Sequence, residues 1–495
     1  MSTSAFSTND EVITRTINCN AVKTPQNTLV DVYEIERSVA WIQHSNFSMI
    51  ALQFPDSLLV DAPSVAKEIQ NHLPKVSVFI LGDTSYGSCC VDEVGAQHYK
   101  ADCVIHFGSA CLSPTTRLPV LYVFGRASID INDCVSKVQE AVEQDARVVL
   151  VYNTTYSYAA DDVYSKLKAH FKDFVLSKLL DPSTSVSTGG TQPAPNHADA
   201  ILNSQNQDNA TLCKCGRRIS LALNTNIQDY SFLFIGASDC PTLVNMMMTF
   251  NKNVFFTYDP SKASCVKESV NINRALMKRY YLVERAKDAN IVGIVAGTLG
   301  VAKYKDIIDH LKALLKSAGK KSYTFVVGKL NPAKLANFAE VDLYVLVACP
   351  ESCLLDQAEF YRPVVSPLEI EMACNSARDW TGEYSTDFRD LLPGGSMYIK
   401  STPFNESEAT DVSLINNKIR TLGVMNGPDV GDAAQQTVAI RSNLTMAVNT
   451  AQNAGEFFAG RSWQGLERKL GETPVVMATE GQVGIAASYN NEPGS

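Results

Sequence analysis

Short apolar runs alternate along this chain with longer segments in which apolar residues recur every three or four positions. Residues 49–54, 76–81, 103–107 and 120–124 are rich in β-branched and aromatic side chains and read as strands. Residues 29–44, 63–72 and 92–100 have helical spacing. In the first of these, Val32, Ile35, Val39 and Ile42 share a face. Strand and helix in alternation predict a parallel sheet with right-handed crossovers.

The alternation starts again with a strand at 148–152 and a helix at 159–171, then breaks off. Residues 181–208 are rich in Ser, Thr, Asn, Gln and Gly, with almost no large apolar side chains, and read as a disordered insertion. Strands at 232–235 and 254–257 flank a helix at 241–250. A long helix at 266–289 then leads to strands at 291–296, 323–327 and 343–347, with helices at 307–317 and 332–338 between them. The fold class is α/β, with three similar domains at 29–128, 129–275 and 276–380, each a small parallel sheet flanked by helices. A disordered tail at 1–28 and an extension at 381–495 complete the chain.

The first and third units read as repeats. Their strands match in order, and ADCVIHFGSAC (101–111) aligns with VDLYVLVACPESC (341–353). Cys111 and Cys349 thus fall at the same strand end of two related units. Cys89 and Cys90 follow the strand at 76–81 through a turn that Gly82 and Gly87 permit. In open α/β sheets the carboxyl ends of the strands are where ligands bind.

Composition narrows the functional classes. The chain is 45% hydrophobic and 19% charged, ordinary for a globular protein. A net charge of -9 makes nucleic acid an unexpected partner. No apolar run reaches membrane-spanning length, and MSTSAFSTND is no signal peptide, so no membrane association and a cytoplasmic location are expected. Thirteen Cys in a reducing compartment are more naturally packed thiols or metal ligands than disulfide partners.

Those cysteines divide by position. Cys19, Cys103, Cys134, Cys265 and Cys374 read as small buried hydrophobes or inert thiols. Cys89, Cys90, Cys111, Cys349 and Cys353 all sit just past strand ends, where a metal or cluster site and plain packing both stand open. Cys213 and Cys215 lack the second nearby pair a zinc site needs. His106 reads as a hydrogen-bonded histidine at a strand end, Asp92 and Glu93 as charges at a helix start. GTLG (297–300) reads as a turn. No Gly-rich phosphate-binding motif follows a strand.

GDTSYGSCCVDE, VIHFGSACLSP, LYVFG, FFTYDPSK, GIVAGTLG and VACPESC together resemble the diphthamide-synthesis radical enzymes, in particular the second-subunit branch of the 2-(3-amino-3-carboxypropyl)histidine synthases. The resemblance runs from about Asp31 to Cys374, and GRSWQGLE (460–467) suits the same branch. It implies three similar α/β domains around one central [4Fe-4S] cluster. It also implies transfer of a 3-amino-3-carboxypropyl group from S-adenosylmethionine to a histidine of elongation factor 2, the first step toward diphthamide.

Carried over residue by residue, the resemblance makes Cys89, after Tyr86-Gly87, the first cluster ligand and Cys349, in its ACP context, the last. The catalytic subunit's middle Cys lies in a GCT-P segment that is missing here. The second-subunit pattern puts that ligand after His106-Phe107-Gly108 instead, on Cys111. Cys215 lies near the missing segment and remains an open substitute; Cys90 and Cys353 are the neighbours to be told apart from the ligands. GTLG could border the S-adenosylmethionine site. The expected function is therefore an auxiliary, electron-relaying subunit, not catalytic alone. Its expected partners are a catalytic subunit in a heterodimer, elongation factor 2 as substrate and an electron-donor protein, with S-adenosylmethionine bound by the partner subunit. The alternative is a scaffold subunit of the same complex without a functional cluster.

Overall fold

The computed structural model describes residues 23–82, 87–180, 211–222, 224–268, 270–328, 330–354, 360–401, 410–415, 419–421, 484–485 and 488–489. Of the expected tail at 1–28, residues 1–22 lie outside them, as do the insertion at 181–208 and most of the C-terminal extension. The chain divides into two compact units, Met1–Val424 and Met425–Ser495. Of the second, one antiparallel pair is described, Gly484–Ile485 with Ser488–Tyr489.

In the first unit, β1 (Met49–Gln53), β2 (Ser77–Leu81), β3 (Cys103–Phe107) and β4 (Val120–Val123) form a parallel sheet in the order β2-β1-β3-β4. Next come β5 (Arg147–Tyr152) and β6 (Asp173–Leu176). Then β7 (Lys178–Leu179), β8 (Thr211–Lys214) and β9 (Arg217–Ser220) make a small antiparallel sheet. Strands β10 (Ser231–Ile235), β11 (Phe255–Asp259) and β12 (Ser264–Lys267) complete a second sheet, ordered β12-β11-β10-β5-β6. The third comprises β13 (Ile291–Ala296), β14 (Lys321–Val326), β15 (Leu343–Val347) and β16 (Val364–Val365), ordered β14-β13-β15-β16.

The first and third sheets share strand order, and they share the device that starts their central strands. Ahead of β3, the Asp102 carboxylate accepts from the amides of Ser48 (2.8 Å) and Met49 (2.9 Å) at the head of β1. Ahead of β15, Asp342 accepts from the amides of Asn290 (3.0 Å) and Ile291 (3.1 Å) at the head of β13. Each aspartate sits one residue before its strand and bonds groups that would otherwise lack a partner at the sheet's amino edge.

The central strands β1, β3, β13 and β15 are buried on both faces, while the edge strands β2 and β14 are more open. Ile50, Leu52 and Ile105 pack against Val65 and Ile69 of the helix Ala62–His72, while Ala51 and Val104 face the opposite cluster. The cysteines expected to be inert follow this packing. Cys103, Cys134 and Cys374 are buried, and burial pushes the thiol of Cys134 up to about 12 and that of Cys374 up to about 11. Cys265 is half-buried in β12, and Cys19 lies outside the described residues.

Several elements differ from their expected form. The helix expected at 29–44 is two, Gln26–Val32 and Ile35–Ser45, because Glu34 turns the chain in the left-handed region at φ 45. Tyr33 fixes the break, buried edge-on against Phe54 and Phe107 with its hydroxyl donating to Asp61 (2.8 Å). The helix expected at 159–171 covers only Ala160–Leu167. The long helix expected at 266–289 begins as β12, which pairs antiparallel with β11, so the second sheet is mixed; helix resumes at Val270–Asp288. Helix Pro367–Cys374 went unforeseen because all eight of its residues are buried, leaving no polar face and no helical period to read.

Candidate metal centre

Two loops of the first sheet and one of the third converge on four sulfurs. Cys89 and Cys90 follow β2 on a tight turn closed by the Cys90 amide donating to the Gly87 carbonyl (3.0 Å). Cys111 follows β3, and its amide donates to the Cys89 carbonyl (3.1 Å), joining the two loops directly. Cys349 follows β15 and is fully buried. The Cys89 and Cys349 sulfurs are 3.7 Å apart, and those of Cys111 and Cys90 4.0 Å. All four lie within 4.8 Å of one another, the only such gathering of metal-binding side chains among the described residues.

Three polar side chains hold these loops. Gln53, buried at the end of β1, donates to the Cys90 carbonyl (2.7 Å) and accepts from the Asp92 amide (2.9 Å), gripping the backbone on both sides of Val91. Asp92 caps the helix Glu93–His98 through the Gly95 amide (2.8 Å). Glu93 accepts from the amides of Thr116, Arg117 and Leu118, tying the strand-end loop beyond Cys111 to that helix. The two acids thus do more than decorate a helix start.

The third sheet is seated on the first at backbone distance. The Ala302 amide donates to the Pro114 carbonyl (3.2 Å). A Cβ on Gly300 would stand 2.4 Å from the Val91 carbonyl oxygen, and one on Gly87 would stand 2.9 Å from the Ser352 hydroxyl. Gly300, in the GTLG turn, is thus where the two sheets touch one residue beyond Cys90.

Sulfhydryl donors from Cys111, Cys89 and Cys90 hold the Cys349 thiol well below its ordinary value. The Cys89 and Cys90 thiols are held well above theirs, since four close sulfurs cannot all ionise without a cation. Burial lifts the Glu351 carboxyl to about 7; it accepts from Thr242 (2.7 Å).

Cys89, Cys111 and Cys349 are therefore together, and Cys90 is with them. Cys353 is apart, its thiol donating to the carbonyls of Pro350 (3.3 Å) and Thr386 (3.6 Å). Cys215 is also outside the group, bonded to Thr249 (3.5 Å), although Gly216 beside it packs against Leu112. His106 is fully buried with Nε2 against the Ser109 carbonyl (3.3 Å), and burial lowers its pKa, so it stays neutral. Gln53 was not foreseen, and Glu93 was read only as a charge at a helix start, without its hold on the loop beyond Cys111. The signal for Gln53 was present: a lone polar residue ends the apolar run MIALQ.

The donor set suits a soft metal. It is all thiol, largely buried and without a carboxylate in the group, the chemistry of zinc and iron–sulfur sites. Thiolates around one tetrahedral ion at ~2.3 Å stand about 3.8 Å apart, close to the spacings here. An iron–sulfur cube is wider, so these side chains would turn outward to hold one. The residues present fit such a cluster in number, softness and burial.

A family described as "Putative diphthamide synthesis protein" matches residues 54–385, which include all four cysteines. A Danio rerio protein named 2-(3-amino-3-carboxypropyl)histidine synthase subunit 2 is 46% identical, the match covering 99% of this chain and 98% of the relative. A protein of the same name from Schizosaccharomyces pombe is 37% identical over 94% of this chain and 91% of its own. Among solved structures, Dph2 from Pyrococcus horikoshii with a 4Fe-4S cluster is similar at 18% identity and a TM-score of 0.49, covering 71% of this chain and 92% of that one.

Proposed function

The chain belongs to the diphthamide synthesis protein family, and we propose that it is the auxiliary, electron-relaying subunit of a 2-(3-amino-3-carboxypropyl)histidine synthase. In this reading it carries a [4Fe-4S] cluster on Cys89, Cys111 and Cys349. A partner subunit binds S-adenosylmethionine and transfers the 3-amino-3-carboxypropyl group to a histidine of elongation factor 2. The observation that carries the reading is the convergence of thiols from two separate sheets on one buried point.

When bound, the cluster would supply one-electron chemistry. This chain's residues would do the holding. Cys89 and Cys111 present sulfur from loops joined backbone to backbone, Gln53 and Glu93 fix those loops, and Cys349 completes the set from the third sheet. His106 stays neutral and offers no competing charge. The relatives' name includes "subunit 2", which supports a partner in the working complex.

Iron and sulfide analysis of the anaerobically purified chain tests the cluster. We expect Cys89→Ala, Cys111→Ala and Cys349→Ala each to lower both contents and Cys103→Ala to leave them unchanged; full retention in all three would rule out the assignment. Alone and reduced with dithionite, the chain is expected not to modify elongation factor 2. With its partner and a physiological reductant it is expected to support modification, less well in each ligand variant. Modification by this chain alone would make it catalytic rather than auxiliary.

A further inference from the structure

We propose that Arg217 is an electrostatic positioning residue of the centre, a buried permanent cation whose counter-charge is the bound cluster, so that it makes one-electron reduction easier. The inference rests on the cluster reading above and goes beyond the ligands to the β8–β9 hairpin, which supplies none of them.

Arg217 is the most deeply buried arginine among the described residues, 2% exposed. The other two buried arginines each face a carboxylate: Arg279 is 3.4 Å from Glu369, and Arg378 is 2.6 Å from Glu371. The guanidinium of Arg217 instead donates to two backbone carbonyls, those of Cys215 (3.0 Å) and Tyr152, and its Nε has no partner. Carbonyls satisfy hydrogen bonds but bring no net charge. A guanidinium cannot shed its proton, and a buried charge without a counter-charge is strongly destabilising. Something other than a bonded carboxylate must therefore balance it.

The hairpin places this cation beside the ligand loops. Strands β8 and β9 are joined by the turn Cys215-Gly216, with both residues in the left-handed region at φ 52 and 67. The turn presses on the loop of Cys111: a Cβ on Gly216 would stand 2.7 Å from the Leu112 Cβ and 3.4 Å from the Cys111 carbonyl oxygen. Arg217 is the next residue. Its guanidinium lies over Tyr152 at the carboxyl end of β5, 6.0 Å from the ring centre. Burial works against its charge, and Glu351, two residues past Cys349, is foremost among the groups that support it. Glu351 makes its bond to Thr242 (2.7 Å) rather than to Arg217. Arg217 is thus tied to both ligand loops, to that of Cys111 through Gly216 and to that of Cys349 through Glu351.

A four-iron cluster on thiolates is negative overall and becomes one charge more negative when it takes up an electron. A fixed cation in the same water-poor interior attracts the reduced form more than the oxidised form. Arg217 therefore raises the potential at which the centre accepts an electron. The coupling is reciprocal, so the bound cluster also stabilises the hairpin that carries Arg217.

The test uses the full chain, anaerobically reconstituted with iron and sulfide, as wild type, Arg217→Gln, Arg217→Met and Arg217→Lys. Dithionite supplies the electrons through one-electron viologen dyes, and the reduced cluster is read by electron paramagnetic resonance. At the dye potential that half-reduces the wild type, the ratio of reduced to oxidised cluster should fall about tenfold in the two neutral variants, a shift of about 59 mV downward. Arg217→Lys, which keeps the charge, should stay close to wild type. Thermal melts give a second reading. With the cluster, the neutral variants should melt below wild type; without it, they should melt level with wild type or above. A merely structural arginine would lower both melts alike. Equal potentials in wild type and a neutral variant, or an equal loss of stability with and without the cluster, would overturn the proposal and leave the cluster reading in place. A wild-type chain that takes up neither iron nor sulfide would overturn both.

Discussion

Asp102 shows how one residue outside the four-cysteine group sets the frame for it. Its carboxylate accepts from two amides and a hydroxyl at the head of β1, and the amides of Ser48 and Met49 hold its pKa below the ordinary aspartate range. A carboxyl lowered by folding contributes stability that is present above its unfolded value, about 4, and is lost as pH falls through the folded value. Asp102→Ala should therefore destabilise the protein by about 1 kcal/mol at neutral pH, the scale of a lost backbone cap. Urea denaturation at pH 7 and pH 3.5 checks this: the gap to wild type should narrow at the lower pH. The aspartate was visible in the aligned segments ADCVIHF and VDLYVLV, as a shared letter without a role. Its role appears only when strands distant in sequence are laid side by side. The same holds for Gln53 and Glu93, whose partners are 37 to 39 and 23 to 25 residues away. No local period encodes such pairs.

The elements legible in the sequence are those with a strong pattern of their own. The buried strands of the first and third sheets were readable because an apolar run bounded by turns admits few alternatives. Strand β12 was hidden in a segment that also suits a helix, and pairing with β11 decided the matter. Helix Pro367–Cys374 was hidden by its own burial, and it brings two acids inside with it. Glu369 accepts from the Ser366 amide (2.7 Å) and the Tyr384 hydroxyl (2.9 Å), with Arg279 of the neighbouring helix 3.4 Å away. Glu371 pairs with His310 and Arg378. Burial raises the Glu369 pKa and Arg279 opposes the rise. Arg279→Met should thus cost about 3–5 kcal/mol, as for a buried pair broken on one side. Adding Glu369→Gln, which removes the charge and keeps one oxygen to accept from the Ser366 amide, should recover much of the loss. Thermal melts of the two variants provide the check; an equal loss in both would show that the charge is not the cause.

At the scale of the whole molecule, the centre is a joint between sheets. Gly300 carries that joint: any side chain there meets the Val91 carbonyl, backbone that cannot swing aside. Gly300→Ala should push the third sheet away from the first, moving Cys349 from its companions while touching no sulfur. Reduced iron retention in a chain that still folds, followed by iron analysis and circular dichroism, is the expected outcome; retention equal to wild type would mean the joint has more slack than the structure shows. The joint also has a history within each molecule. Cys89 and Cys349 are 260 residues apart, and ribosomes add roughly 5–20 residues per second. For about a quarter of a minute or more, each newborn chain presents the thiols of its first sheet before the last exists. During translation those sulfurs stand open to stray metals and oxidants, so a finished centre depends on a cell that keeps them reduced until the third sheet arrives.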